Sequence, residues 1–371
     1  MKLCFYSPKS YIEFDTGNKS CLKMSIGGSE IQVNLLAREL SLLFGLSVDV
    51  LVADFDQEPE VTVDSIRLIR SIKYGTNPLL MAFALFRAMR NSKADIHLQR
   101  ALSPMSTLVC FIAYVLQKKF VYMVAHDGEC NVRGWSAKER LSGWVSSLTF
   151  RFADLVIAQN DIQKNFLVRQ YPKVKVAVLK KGLKLPVIDN MSRRKRVVDA
   201  VWIGRCVKFK NPEAFLALAK SLPDRSFLMV APPAQNEQDY FEEIMRSAAH
   251  LENLTFIEKL SNKDVYRTLK TCKVFCFTSY EEGDWPMTVL EAVSCGLPVL
   301  SLHLNYDALV DDYNAGIFCS GDSSALTQGL NVLLADSAKL NEMEQNALKF
   351  SKEKLDIRQA AVTLLGYLKE L

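Results

Sequence analysis

At 371 residues the chain is long for one hydrophobic core, so two domains are expected. Its 49% hydrophobic and 23% charged residues are those of an ordinary folded protein and exclude a disordered or fibrous chain. The net charge of +5 sits in the first half, where residues 1–190 hold 25 Lys and Arg against 17 Asp and Glu; with no aromatic-basic interleaving, an anionic substrate or membrane surface is the expected partner rather than nucleic acid.

Nine cysteines, with no Cys-x-x-Cys among them, read as buried free thiols of a reducing compartment. None of the four histidines (97, 126, 250 and 303) lies within helical pairing distance of another, so no protein-built metal site is expected. The chain starts on a strand pattern without a signal-peptide core. Its longest apolar run, residues 107–116, is too short to span a bilayer and reads as a buried helix. A cytoplasmic protein is expected, with attachment to the inner face of a membrane left open.

Strand-like runs at 2–6, 48–52, 121–125, 155–158 and 176–179 alternate with helical segments. After the first run, Gly27-Gly28-Ser29-Glu30 opens a helix whose apolar positions are Ile31, Leu35, Leu36, Leu40 and Leu43 and which stops near Gly45. Ser29 is the expected N-cap, and the two glycines would let backbone approach a ligand closely; a plain turn explains the same residues equally well. Arg67, Arg70, Lys73, Arg87, Arg90 and Lys93 flank the apolar stretch 78–86. This suits an interface receiving a lipid-linked anionic acceptor, against the alternative of a core helix with a solvated edge. His97 ends a strand-like run and is a candidate for the acceptor side. His126, in Val124-Ala125-His126-Asp127, follows another strand, with Asp127 as a runner-up acid.

The apolar pattern breaks at 186–196, which divides a first domain, 1–188, from a second, 189–355; Arg193-Arg194-Lys195-Arg196 reads as a solvated linker. A second series of strands follows at 198–203, 227–231, 254–257, 274–277 and 299–302. Continuous apolar strands between helices imply parallel sheets covered on both faces, hence two doubly wound domains. Residues 356–371 form an amphipathic helix that packs on the body.

Two constellations of the second domain carry chemistry. Arg205 and Lys210 leave the end of one strand, where both can reach a single diphosphate, Arg with its fork and Lys as a point charge. The segment 281–299 reads as an acidic loop (Glu281, Glu282, Asp284), a helix start at Pro286, a capping-box spacing of Thr288 and Glu291, and a stop at Gly296 and Pro298. Such a start offers unpaired N–H groups and the positive end of the helix dipole to phosphate. The alternative is that Glu291 only caps the helix and the loop acids only face solvent.

In this order and at these separations, Gly27-Gly28-Ser29-Glu30, Gly204-Arg205 with Lys210, and Glu-Gly…Glu-Ala…Cys-Gly-Leu-Pro-Val resemble retaining glycosyltransferases of the GT-B fold, the family 4 group. So do Ala153-Asp154-Leu155-Val156 and Asn314-Ala315-Gly316 with Asp322. The resemblance implies an α/β chain of two Rossmann-like domains facing across a cleft, with the C-terminal helix crossing back to the first. It implies a UDP-, GDP- or ADP-sugar donor, no cofactor, and a glycan or lipid-linked acceptor in bacterial surface polysaccharide synthesis. Arg205 and Lys210 would neutralise the diphosphate, and N–H groups around Met287, Thr288, Val289 and Leu290 would bind its oxygens. Glu291 would meet the ribose, Glu282 (or Glu281 or Asp284) the sugar, and His126 the reacting centre, while Gly27 and Gly28 would let the first domain close on the phosphates. One departure is visible: Glu282 and Glu291 stand nine positions apart where the family usually has eight, so the loop holds one extra residue, Asp284 or Trp285. A nucleotide-sugar epimerase of the same architecture and a catalytically silent sugar-nucleotide-binding protein are the competing expectations.

Overall fold

The computed structural model describes residues 1–14, 27–103, 105–130, 145, 147–188, 196–234, 237–306 and 309–371. These form two compact units, Met1–Lys184 with Asp356–Leu371, and Leu185–Leu355. Cys21 and the basic residues Arg193, Arg194 and Lys195 lie outside the described residues. The other eight cysteines are buried free thiols.

The first unit runs β1 (Lys2–Tyr6), α1 (Tyr11–Phe14), α2 (Gly28–Phe44), β2 (Ser47–Val52), β3 (Glu60–Val63), β4 (Ile66–Arg70), α3 (Pro78–Ser92), β5 (Ile96–Arg100), α4 (Ser106–Val115), β6 (Lys119–Met123), α5 (Asp127–Cys130), β7 (Leu155–Ala158), α6 (Asp161–Gln170) and β8 (Val176–Val178). The sheet order is β3-β4-β2-β1-β5-β6-β7-β8. It is parallel except for β3, which pairs antiparallel with β4, so the all-parallel expectation fails at one edge. Period-two alternation explains why β1 is buried on both faces. Leu3 and Phe5 join the core under α2, and Cys4 and Tyr6 join the core under α3 and α4. The expectation of a buried helix at 107–116 needs correcting: α4 buries Val109, Ile112 and Ala113 but leaves Phe111 and Tyr114 60% and 78% exposed.

The second unit runs β9 (Val198–Ile203), a 3-10 turn (Lys208–Lys210), α7 (Pro212–Ser221), β10 (Phe227–Val230), α8 (Gln238–Ala249), β11 (Leu254–Ile257), α9 (Asn262–Leu269), β12 (Cys272–Phe277), α10 (Met287–Ser294), β13 (Val299–Ser301), β14 (Gly316–Phe318), α11 (Ser323–Ala335) and α12 (Ser337–Lys354). Its sheet, β11-β10-β9-β12-β13-β14, is parallel throughout. Strand order reverses between β9 and β12, and the crevice outside the carboxyl ends of such a pair is where doubly wound sheets bind ligands.

The last helix, α13 (Ile357–Lys369), belongs to the first unit. Ile357, Ala361, Leu364, Leu365 and Leu368 enter the core that holds Leu36 and Leu40 of α2. Full burial of each large side chain stabilises the contact by about 1.5–3 kcal/mol. Gly182 permits the approach, because a Cβ there would lie 2.7 Å from the Ile357 Cα. Tyr367 donates its hydroxyl hydrogen to the Val178 carbonyl at 3.0 Å.

Candidate functional site

The second unit assembles its candidate site where β9 and β12 end. The Lys210 ammonium is paired with the Glu282 carboxylate, their side chains only 12% and 16% exposed. The Lys210 carbonyl accepts the Thr278 hydroxyl at 2.8 Å, and that hydroxyl accepts the Trp202 indole N–H at 2.9 Å. One threonine thus ties the turn after β9 to the end of β12. Gly204 leaves room for the lysine stem, since a Cβ there would stand 3.1 Å from the Lys210 Cδ. The Ser279 hydroxyl donates to Glu282 at 3.2 Å. Arg205 is exposed beside them.

The three loop acids differ in place. Glu281 is exposed, Glu282 meets Lys210, and Asp284 is buried and accepts the Trp285 N–H at 2.8 Å. Trp285, 1% exposed, is packed between Phe277 and Tyr306. Asp284 and Trp285 are therefore folded inward.

The expected capping box does not form. The N-cap of α10 is Pro286, without a side-chain cap, and Thr288 lies inside the helix. Glu291 is thus not a capping acid; it sits half-buried beside Tyr266 of α9. Burial, reinforced by the Glu291 charge, pushes the Tyr266 phenol up, so it stays protonated at neutral pH. The N–H groups of Val289 and Leu290 already donate to the Pro286 carbonyl, at 3.0 and 3.2 Å. Among the described residues Thr288 has no intramolecular acceptor for its N–H, so within the expected group Val289 and Leu290 are already taken and Thr288 is open to an anion.

In the first unit, the N-cap of α2 is Gly27 and its first residue is Gly28, both exposed. The expected Ser29 cap is not formed: Ser29 lies inside the helix, and the Gly27 N–H donates to the Glu30 carboxylate at 3.1 Å. His126 follows β6 with its side chain 63% exposed, its Nε2 3.5 Å from Glu129 Oε1. Sequence reasoning missed Glu129, although it stands three residues beyond His126. Its carboxylate is 2% exposed and accepts the Tyr122 hydroxyl at 2.7 Å, the Ala125 N–H at 2.9 Å and the Leu102 N–H at 3.1 Å. It thereby fastens the loop after β5 to the loop that carries His126. Asp127, the first residue of α5, accepts the Gln163 amide at 2.8 Å, which makes it a tie between α5 and α6.

His97 does not end a strand. It is the second residue of β5, in register with Cys4 and Phe120 and 2% exposed, so it lines no acceptor surface. Burial pushes its imidazole from 6.5 down to about 4. Between those values the unfolded chain binds a proton that the folded chain refuses. Stability therefore falls as pH drops through that window, by about 3 kcal/mol at its foot, and below it this group adds no further loss. Urea midpoints for wild type and His97→Gln at about pH 7 and about pH 4.5 check this; an identical pH dependence in the two would refute it.

Residues 192–350 match the family model described as glycosyl transferases group 1. No curated protein matches the chain. Among solved structures, the sucrose-phosphate synthase of Thermosynechococcus elongatus is 16% identical at a TM-score of 0.78, over 100% of this chain and 98% of that one. HepE of Anabaena, solved with UDP, is 16% identical at 0.77 over 100% of both chains. A glycosyltransferase from Rickettsia africae is 14% identical at 0.73, over 100% of this chain and 98% of that one. At such identities the likeness is one of fold, the two-unit GT-B architecture.

Proposed function

We propose that this chain is a retaining, nucleotide-sugar-dependent glycosyltransferase of the group 1 class, family 4 type. It moves a hexose-type sugar from a UDP-, GDP- or ADP-sugar to a hydroxyl of a glycan or lipid-linked acceptor. The observation that carries the reading is the Lys210–Glu282 pair at the point where strand order reverses, beside the start of α10. The departing diphosphate gathers negative charge, which Lys210, Arg205 and the Thr288 N–H receive. Glu282 accepts from the hydroxyls of the transferred sugar and Glu291 from the ribose. His126 is the proposed contribution of the first unit, with Gly27 and Gly28 giving phosphate access to the start of α2. The acceptor hydroxyl attacks from the face the diphosphate leaves, which retains the anomeric configuration.

Incubation with a panel of nucleotide sugars, with and without glycan acceptors, followed by mass analysis, tests the proposal. Transfer to an acceptor with release of nucleoside diphosphate supports it. An epimerised donor formed without any acceptor would assign an epimerase, and binding without turnover a silent module. The cations supply the charge stabilisation, so activity is expected to survive a chelator. Loss restored by a divalent ion would overturn metal independence.

The proposed setting is bacterial surface polysaccharide synthesis at the inner face of the cytoplasmic membrane, and two adjacent helices support membrane attachment. Along α3, Leu79, Leu80 and Phe83 are exposed and the outward face continues as Arg87 and Arg90. Phe111, Tyr114 and Val115 of α4 are exposed as well, and neither helix contains an acid. Arg67 takes no part, because its guanidinium is bound to the buried Asp49 at 2.7 Å. Among the described residues no helix is long and apolar enough to cross a membrane. Each basic residue near an anionic surface contributes about 1 kcal/mol, so flotation with phosphatidylglycerol vesicles is expected to exceed that with phosphatidylcholine by roughly tenfold or more. Phe83→Asp with Tyr114→Asp should abolish it. Equal flotation with both lipids would remove the membrane from the proposal.

A further inference from the structure

We infer that Tyr306, which follows β13, is the positioning residue for Glu282. The inference rests on the reading that Glu282 meets the reacting donor. Tyr306 grips the acidic loop at two points: its hydroxyl donates to the Glu282 main-chain carbonyl at 2.5 Å, and its own carbonyl accepts the Trp285 indole N–H at 2.8 Å. Its ring meets the indole edge-on, centroids 5.4 Å apart at 88°. On its other side the indole packs against Phe277, the last residue of β12, again at 5.4 Å.

The chain from 278 to 286 has no regular secondary structure to fix it. A glutamate on such a segment has a backbone and three side-chain torsions free, so its ion pair with Lys210 cannot by itself fix the carboxylate. With the 282 carbonyl bound from one side and Trp285 buried on the other, the Cα of Glu282 has a fixed origin. Pro286, the N-cap of α10, follows directly, so the same grip places the start of that helix. Trp285 is a buried wedge, and Tyr306 supplies both the edge contact and the acceptor that the wedge needs. A misplacement of about 1 Å at a reacting group is costly to rate even when binding survives.

The test is Tyr306→Phe, which keeps the ring and the carbonyl and removes only the hydroxyl. Expected results are an unfolding midpoint lowered by at most a few degrees and still well above the assay temperature, a donor KM within about twofold of wild type and a kcat lower by about tenfold, the worth of one hydrogen bond. In a Glu282→Gln background the same change should cost less than about twofold, because the group being positioned is already gone. A wild-type kcat in Tyr306→Phe overturns the inference. So does a tenfold loss in both backgrounds, which would make the effects independent, or a loss that tracks a midpoint lowered to the assay temperature. Absence of turnover of any nucleotide sugar by the wild type refutes the function and this inference with it, whereas turnover by wild type and Tyr306→Phe alike refutes the inference alone.

Discussion

Lys210→Ala is expected to lower kcat/KM for the nucleotide sugar by about 10²–10³, the usual effect of deleting one preorganised group that stabilises transition-state charge. The loss should fall mainly on kcat. In the donor-free protein the ammonium lies against Glu282, so its contribution to the ground state is partly balanced; the charge that develops on the diphosphate is what it meets in full. Lys210→Arg should recover little. The nearly buried pair with Glu282 is made by a compact point charge, which a longer planar guanidinium does not reproduce. Arg205→Ala, on an exposed side chain, should cost less and appear chiefly in donor KM. Initial rates of nucleoside diphosphate release decide the point, with the thermal midpoint as a check on folding. An unchanged kcat/KM in Lys210→Ala would remove the diphosphate assignment and leave the Lys210–Glu282 pair a structural tie.

What the sequence made legible divides by distance along the chain. Strands such as Phe227–Val230 and Leu155–Ala158 are continuous apolar runs, and the structure places them where the runs are. The hairpin Glu60–Val63 with Ile66–Arg70 escaped notice because its turn is Asp64-Ser65, both at positive φ, without the glycine that marks such turns. Both helix starts were displaced. Ser29 and Thr288 are good capping residues by type, but the chain enters α2 at Gly27 and α10 at Pro286, and a side-chain cap needs the preceding backbone to be extended at that residue. The reading of α4 as a buried helix fails differently, since its apolar residues occur on every side and only packing reveals which side is outward.

The candidate site was legible where its chemistry lies in local runs and illegible where it depends on remote contacts. Lys210 and Glu282 are each marked by their neighbours, and the structure brings them together across 72 residues. Tyr306 had no local signal, being one tyrosine in a loop whose importance comes from Glu282 and Trp285, 24 and 21 positions earlier. Choosing among the three loop acids required those contacts. Asp284 is buried, Glu281 is exposed, and Glu282 meets the Lys210 cation.

Arg196→Ala is expected to destabilise the second unit by about 3–5 kcal/mol, the usual cost of deleting one partner of a buried ion pair. By composition Arg196 belongs to a basic linker, and the expectation of a solvated side chain is corrected here. Its guanidinium is paired with Glu344 of α12, the two side chains each 5% exposed. It also donates to the Cys295 carbonyl at 2.9 Å, at the end of α10. Nothing near Arg196 in the chain announces this, because its partner lies 148 residues on. One cation thus answers a buried carboxylate and the negative end of the helix that carries Glu291. Loss of the arginine leaves both without it. Urea unfolding followed by tryptophan fluorescence reads the change, since Trp202 and Trp285 lie in this unit. Replacing both partners with apolar residues, Arg196→Met with Glu344→Leu, should recover most of the loss, because the cost lies in a stranded charge more than in the missing attraction. A cost below about 1 kcal/mol for Arg196→Ala is what a solvated side chain would show, and would return Arg196 to the linker.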